Sequence, residues 1–238
     1  MNPSAIRFMT SVAGCFLIGV ASIAAALPKP AADLDAVLDR IDKAGAAFRA
    51  MSAKLHRVSH TAVINEDNAD SGTVLLKLAH AHDLRMLIDL TEPDPKSVAF
   101  QGHTVEIFYP KAATVQEFDV GKGKDRALLE QFFLLGFGTS RADLQASYNL
   151  RLIGPDTIDG QKAERLELIP KSKEVLQHLP KLEMWVADNG YPIQQKFYLP
   201  GGDYQLATYS DVKINPQIAD SELKLHLPKN VKREYPQR

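Results

Sequence analysis

Apolar side chains recur at intervals of three and four residues from residue 33 onward. This spacing places them on one face of a helix, and Asp33 is a suitable N-cap in front of it. The pattern predicts one amphipathic helix over residues 33–53. Its apolar positions are Leu34, Val37, Leu38, Ile41, Ala44, Phe48, Met51 and Leu55.

The period then changes to two, which is typical of half-buried β-strands. Short polar or Gly- and Pro-containing segments separate these stretches, so neighbouring strands are expected to run antiparallel. The first group of predicted strands covers residues 73–78, 84–90, 98–101, 105–109 and 115–120.

A second helix is predicted over residues 124–136, and residues 140–146 predict a further helical turn. The first of these segments is apolar on nearly every side, so the helix is expected to contact protein on most of its surface. Its apolar residues, with the one that follows it, are Ala127, Leu128, Leu129, Phe132, Phe133, Leu134, Leu135 and Phe137.

The alternating pattern returns after this segment, and Asp159-Gly160 and Asn189-Gly190 are hairpin signals. Residues 171–179 predict a short third helix between two strands. The second group of predicted strands covers residues 148–153, 163–169, 181–187, 192–199, 204–212 and 223–227. The total is about eleven strands with two or three helices.

The alternation gives the sheet one apolar and one polar face. A sheet of this many strands curls, and its apolar face must be covered. We therefore predict a mainly β fold, a large curved antiparallel sheet forming an unclosed barrel that two or three helices cover. The apolar face is assigned to Leu166, Leu168, Leu182, Met184, Val186, Phe197 and Leu206, and the polar face to Arg165, Glu167, Glu183, Gln194 and Lys196.

The N-terminus has the features of a secretory signal peptide. Arg7 precedes a largely apolar run over residues 8–23, and three alanines end it at Ala26. We expect cleavage near Ala26, which leaves residues 27–238 as a single exported domain. Two alternatives stay open: the segment is retained as an anchor, or Cys15, which follows a lipobox-like Val-Ala-Gly, carries a lipid. The apolar residues after Cys15 favour cleavage.

Composition excludes several other classes of protein. The 238 residues contain 28 Lys and Arg and 29 Asp and Glu, and a net charge of −1 provides no bulk field for nucleic acid. The single cysteine excludes an internal disulfide and a multi-cysteine zinc site.

The sequence contains no nucleophile elbow, phosphate-binding loop or His-Glu-x-x-His motif. His80 and His82 are the best candidates for metal ligands, but no further ligand is evident. We therefore predict no metal site, and an enzyme remains an alternative for which the sequence names no catalytic residue.

The second helix has two interpretations. It either fills the inside of the sheet as dry core or covers a hydrophobic chamber as a lid. A chamber requires an apolar ligand, and an acyl chain contributes about 0.8 kcal/mol for each methylene group it buries.

The order of these elements resembles the LolA-type periplasmic carriers, which escort lipoproteins from the inner to the outer membrane. The likeness spans nearly all of residues 27–238. It is carried by residues 47–53, 71–77, 84–86, 92–93, 101–110, 166–171, 185–193, 214–218 and 227–231.

The resemblance implies a half-open sheet that holds acyl chains, with no enzyme activity or cofactor. In the classical carriers an Arg-Pro pair follows the strand after the position of Gly72, and that Arg contacts the lid. Here Lys77 is followed by Leu78, and Arg85 is the nearest arginine.

We therefore predict a soluble monomeric carrier of lipoprotein acyl chains. Its partners are acylated lipoproteins, an inner-membrane release complex and an outer-membrane acceptor. The alternatives are a carrier of free lipid or glycolipid and a receptor or sensor anchored through Cys15. The expected cavity and lid residues are Leu76, Met86, Ile88, Leu128, Leu129, Phe132, Phe133, Leu166, Leu168, Met184 and Phe197.

Substitution of Phe132 by Glu tests the lid interpretation. The charge is expected to weaken lipid binding, because a carboxylate is costly to place against an acyl chain. Lipid binding by the purified Phe132→Glu variant is the measurement. Unchanged binding with a preserved circular dichroism spectrum contradicts the assignment.

Overall fold

The structure is a computed structural model that describes residues 33–79, 83–121 and 134–236. Within these ranges there are three α-helices: α1 (Leu34–Ala47), α2 (Arg141–Ser147) and α3 (Lys173–His178). The strands are β1 (Ala50–Thr61), β2 (Glu66–Leu78), β3 (Leu84–Glu92), β4 (Lys96–Gln101), β5 (Thr104–Tyr109), β6 (Thr114–Asp119), β7 (Tyr148–Ile158), β8 (Gln161–Pro170), β9 (Lys181–Ala187), β10 (Pro192–Tyr198), β11 (Tyr204–Ile214) and β12 (Lys232–Glu234).

These twelve strands form one sheet in the order β12-β6-β5-β4-β3-β2-β1-β11-β10-β9-β8-β7. Every neighbouring pair is antiparallel except β12, which runs parallel to β6. Most neighbours are consecutive in the chain, whereas β1 and β11 pair across a long separation. β12 and β7 are the two edges. The predicted mainly β fold with a mostly antiparallel, unclosed sheet is confirmed.

Helix α1 ends six residues before the predicted boundary. Asp33 caps its start by accepting from the Ala36 amide at 2.6 Å. Asn215 holds its end, since the Asn215 amide group donates to the Ala47 carbonyl and accepts from the Arg49 amide. The predicted continuation over residues 48–53 is wrong because this distant side chain satisfies the helix terminus.

The chain beyond α1 is the strand β1, which the sequence pattern does not predict. Met51, Ala53 and Leu55 are buried on one face of it. A separation of four residues fits alternate positions of a strand as well as one face of a helix, so Met51 and Leu55 were consistent with both structures.

Two other boundaries differ from the prediction. β2 begins at Glu66 instead of residue 73, because its polar first half pairs with β1 up to Thr61. The predicted strand over residues 223–227 is wrong: Asp220–Leu223 is a 3-10 turn, and Leu223 packs on the sheet. The last strand is β12, so the described part of the chain forms twelve strands, close to the predicted total of about eleven.

We call the face of the sheet that α1 covers the inner face, and the opposite one the outer face. Val37, Leu38 and Ile41 of α1 pack there against apolar side chains of β8 and β9. Six of the seven residues that were assigned to the apolar face lie in this core: Leu166, Leu168, Leu182, Met184, Val186 and Phe197. Leu206 is the exception, since it pairs with Lys196 on the outer face. That assignment of Leu206 is wrong.

Helix α1 makes its closest approach to the following chain at Gly45. A Cβ atom at this position would overlap the carbonyl oxygen of Thr139. The overlapping atom belongs to the backbone of Thr139, which cannot move aside as a flexible side chain can. Glycine is therefore required for this packing.

We expect Gly45→Ala to destabilise the protein, although alanine favours a helix interior over glycine by about 1 kcal/mol. The overlap with Thr139 outweighs that preference. Urea unfolding measures the free energy of unfolding, and Ala46→Gly, at an exposed position of the same helix, is the matched control with a loss of about 1 kcal/mol. A more stable Gly45→Ala variant contradicts the close approach.

Candidate functional site

An apolar cavity of about 170 Å³ lies on the inner face. Its walls come from β1, β2 and β3 on one side and from β10 and β11 on the other, and Phe137 closes one end. The lining residues are Met51, Leu55, Arg57, Val74, Leu76, Met86, Ile88, Phe137, Gln195, Phe197, Gln205, Ala207 and Tyr209.

The strand register brings these residues together. Leu76 of β2 lies opposite Met51 of β1 and Met86 of β3. On the other side, Ala207 of β11 lies opposite Arg57 and Gln195. Side chains in register on neighbouring strands are close enough to contact, so the cavity wall is continuous across five strands.

The predicted site residues fall into three groups. Leu76, Met86, Ile88 and Phe197 line the cavity. The second group is fully buried in the core under α1 and does not line the cavity: Leu166, Leu168 and Met184. The third group lies outside the described residues: Leu128, Leu129, Phe132 and Phe133.

Phe137 is held by an aromatic cluster. Its ring packs edge-to-face against the ring of Tyr209, with 5.5 Å between the centroids. The ring centroids of Phe48 and Tyr191 lie 6.0 and 6.2 Å from the centroid of Phe137. The preceding Gly136 has φ of +77°, and a Cβ there would lie 2.8 Å from the sulfur of Met184. This turn therefore needs glycine and packs tightly on the sheet.

A chain of hydrogen bonds fastens the same turn to the cavity wall. The Tyr209 hydroxyl donates to Gln195 Oε1 at 2.7 Å, and Gln195 Nε2 donates to the Leu135 carbonyl at 2.9 Å. The Tyr191 hydroxyl donates to the Ala44 carbonyl at 2.9 Å. Burial raises the pKa of both Tyr209 and Tyr191, so both hydroxyls stay protonated and act as donors.

The opposite end of the cavity is polar. Arg57 donates to one oxygen of Asp70, Oδ2, from Nε at 3.1 Å and also from Nη2. The Arg57 side chain is 27% exposed and that of Asp70 14%. Gln205 beside them is exposed, so this end of the cavity faces solvent.

Lys77 and Arg85 face away from the cavity. They are the basic residues nearest to the position at which the LolA-type carriers have the arginine that contacts the lid. Lys77 donates to the Ile218 carbonyl and to Asp220, and Arg85 pairs with Asp83 and Asp220. These contacts lie on the outer face, where they fasten the C-terminal segment.

A second concave region and the remaining candidate sites of the described ranges differ from this cavity. A cleft of about 620 Å³ on the outer face includes the charged side chains Arg49, Lys77 and Glu222 and is open to solvent. Within the same ranges, no cluster of three or more His, Cys, Asp or Glu residues could hold a metal. His80 and His82 lie outside those ranges. No described helix is long and apolar enough to cross a membrane.

Sequence reasoning missed part of the cavity wall. Met51 and Leu55 were assigned to a helix, and Arg57, Gln195 and Tyr209 are polar residues that hydrophobic patterning does not select. The alternation of Met51, Ala53 and Leu55, continued to Arg57, is the signal that could have identified β1.

No family model and no curated protein sequence matches the chain. Solved structures do: MucB has a TM-score of 0.51 and 14% identity over 83% of this chain, which spans 64% of the MucB chain. An uncharacterized conserved protein from Thermus thermophilus has a TM-score of 0.50 and 14% identity, over 84% of this chain and 98% of that one.

The matches also include a LolA superfamily protein from Nitrosomonas europaea. It is 16% identical over 80% of this chain and 97% of its own, with a TM-score of 0.40. The unclosed, mostly antiparallel sheet with its helical cover is the fold that the sequence predicts, and MucB and the Thermus thermophilus protein share this fold.

The hydrogen-bond chain can be tested with a double-mutant cycle. Tyr209→Phe leaves Gln195 Oε1 without its donor, at a cost of about 1–3 kcal/mol. Gln195→Leu leaves both the Tyr209 hydroxyl and the Leu135 carbonyl unpaired and costs more. The double variant keeps only the Leu135 carbonyl unpaired, so we expect its loss to be smaller than the sum by about 1 kcal/mol.

Urea unfolding of the four proteins measures the cycle. Tyr204→Phe is the matched control, because the Tyr204 hydroxyl makes only a 3.5 Å contact with Asp67 at the surface. Its free energy of unfolding is expected to change by less than about 0.5 kcal/mol. Strictly additive losses contradict a coupled chain.

Proposed function

We propose that this LolA-like chain is an exported carrier that binds acyl chains in its inner-face cavity. Its cargo is a lipoprotein, which it receives from an inner-membrane release complex and delivers to an outer-membrane acceptor. In this proposal residues 1–26 are the signal peptide and residues 27–238 the carrier, working as a monomer in the periplasm. The observation that carries the proposal is the apolar cavity, which opens to solvent at one end.

The size and lining of the cavity suit part of an acyl chain. An apolar cavity of about 150 Å³ in a protein stays dry and binds benzene. A cavity of about 170 Å³ therefore has room for about six carbon atoms. Burying them contributes about 0.8 kcal/mol per methylene group.

The inner face offers a path for the part of an acyl chain that extends beyond the cavity. Ile88 in the cavity wall lies in register with Val98 of β4, which lies in register with Ile107 of β5. All three side chains are half-buried. A longer acyl chain can lie along this apolar row and bury the surface that the protein leaves exposed.

Release of lipoprotein from spheroplasts tests the function. Protein purified after export is added to spheroplasts that synthesise a labelled lipoprotein, and the soluble fraction is assayed. We expect acylated lipoprotein to appear in a complex with this chain. No release, while acyl probes still bind the cavity, contradicts the lipoprotein cargo and supports a carrier of free lipid.

Ile88→Glu probes the role of the cavity in the same assay. A carboxylate in the wall removes apolar contact worth about two methylene groups, so release and acyl binding are expected to fall about tenfold. Ile153→Glu is the matched control, because Ile153 is an exposed isoleucine at the surface. Equal effects of the two substitutions contradict the site.

The N-terminus of the exported protein separates a carrier from a receptor. Mass spectrometry that finds Leu27 as the first residue supports the soluble carrier. A lipidated Cys15 contradicts it and supports a membrane-anchored receptor or sensor.

A further inference from the structure

We propose that Arg57 binds the anionic headgroup, a carboxylate or a phosphate, of a single-chain amphiphile whose tail lies in the cavity. The inference rests on the proposed function of the cavity as an acyl-chain site. It adds the class of ligand: an ionised amphiphile in preference to a neutral one.

Arg57 is placed at the boundary between the apolar wall and solvent. On β1 it follows Leu55 on the inner face, and its neighbours in register are Asp70 on β2 and Ala207 on β11. It belongs to the cavity lining, whereas Asp70 does not. A ligand in the cavity therefore reaches Arg57 before it reaches the carboxylate.

The hydrogen bonds of Arg57 leave one edge of its guanidinium group open. A guanidinium has five N–H donors in a planar fork. Asp70 accepts from Nε and Nη2 with the single oxygen Oδ2. In the described part of the chain, no group accepts from Nη1. As far as the described residues go, the edge formed by Nη1 and Nη2 is open to a second anion.

This edge matches a carboxylate or a phosphate. Both present two oxygens at the spacing of the fork, and such paired, charge-assisted hydrogen bonds are stronger than neutral ones. In the protein without ligand, Asp70 neutralises the charge of Arg57, because an unpaired charge next to an apolar wall is costly. An anion that adds to the open edge does not need to displace Asp70.

An ester or amide-linked acyl chain carries no charge at its first carbon, whereas a free fatty acid or a monoalkyl phosphate does. A guanidinium at the solvent end of an apolar cavity distinguishes these two classes. The geometry therefore adds a free, ionised chain as a second ligand of this end of the site, beside the proposed lipoprotein cargo, whose linked acyl chains occupy the cavity without this contact.

Four probes with the full-length exported protein test this inference: octanoate, octyl phosphate, 1-octanol and inorganic phosphate at neutral pH. Methyl-labelled methionine NMR is the readout, since Met51 and Met86 line the cavity and Met184 in the packed core is an internal reference. We expect all three octyl probes to shift the first two signals and inorganic phosphate to shift none.

The inference predicts that octanoate or octyl phosphate binds about tenfold more tightly than 1-octanol, the effect of one charge-assisted pair. The better of the two anions identifies the headgroup as carboxylate or phosphate. Equal affinity for 1-octanol and both anions overturns the headgroup site while the acyl site stands. Failure of all octyl probes contradicts the proposed function itself. Binding of inorganic phosphate as tight as that of octyl phosphate overturns an amphiphile site.

Substitutions assign the preference to Arg57. Arg57→Gln is expected to remove the preference for the anion over 1-octanol. Asp70→Asn is expected to increase the preference, since the competing carboxylate charge is lost. Arg151→Gln is the matched control on the outer face, where the Arg151 side chain is 68% exposed.

The double variant Arg57→Gln/Asp70→Asn covers the case in which Arg57→Gln alone does not fold, because it leaves no unpaired charge. It too is expected to bind octanoate and 1-octanol equally. A preference that persists in either variant, or one that Asp70→Asn lowers, overturns the assignment.

Discussion

The pairing of β1 with β11 is the contact on which the site depends. Strands β1 to β6 form one meander and β7 to β11 another, and this single ladder joins the two. The cavity takes walls from both meanders, so it exists only because they are joined in this register. A shift of one residue would turn Leu55 and Arg57 to the outer face. The ladder therefore sets both the shape of the cavity and the position of its polar end.

The inner face has a packed part and an open part. Under α1, residues such as Leu166 and Leu168 are fully buried in a continuous core. Beyond Phe137, the side chains of β1 to β3 face a void. Atoms that line a void lack dispersion contacts on one side, and a bound apolar chain would supply them. The packed part stabilises the sheet, and the open part can exchange its contents without dismantling that core.

The sequence predicts an element well when the residues that stabilise the element are close to it in the chain. Strands β8 and β9 pair along most of their length, and their predicted positions are confirmed to within two residues. The end of α1 depends on Asn215, and the pairing of β12 depends on β6. Both contacts are distant in sequence, so no local pattern contains them.

The same reasoning applies to the cavity wall. Alternation identified Leu76, Met86 and Ile88, which line the cavity. It failed at Leu206 because β11 carries apolar or aromatic side chains on both faces, with Ala207 and Tyr209 on the inner one. A polar residue in an apolar wall leaves no hydrophobic signal at all, so only the register of β1 with its two neighbours places Arg57.

Hydrophobic burial alone would not orient a ligand, because it is non-directional and scales with area. Burial of about six carbons contributes about 5 kcal/mol, and the translational and rotational freedom that a ligand loses on association offsets much of it. In the proposed function, a cavity of this size would hold an acyl chain weakly and return it readily to an acceptor with more apolar surface. One charged group at the open end adds direction and about a further factor of ten. Weak burial and a single anchor together would suit the proposed carrier, which must both bind and release its cargo.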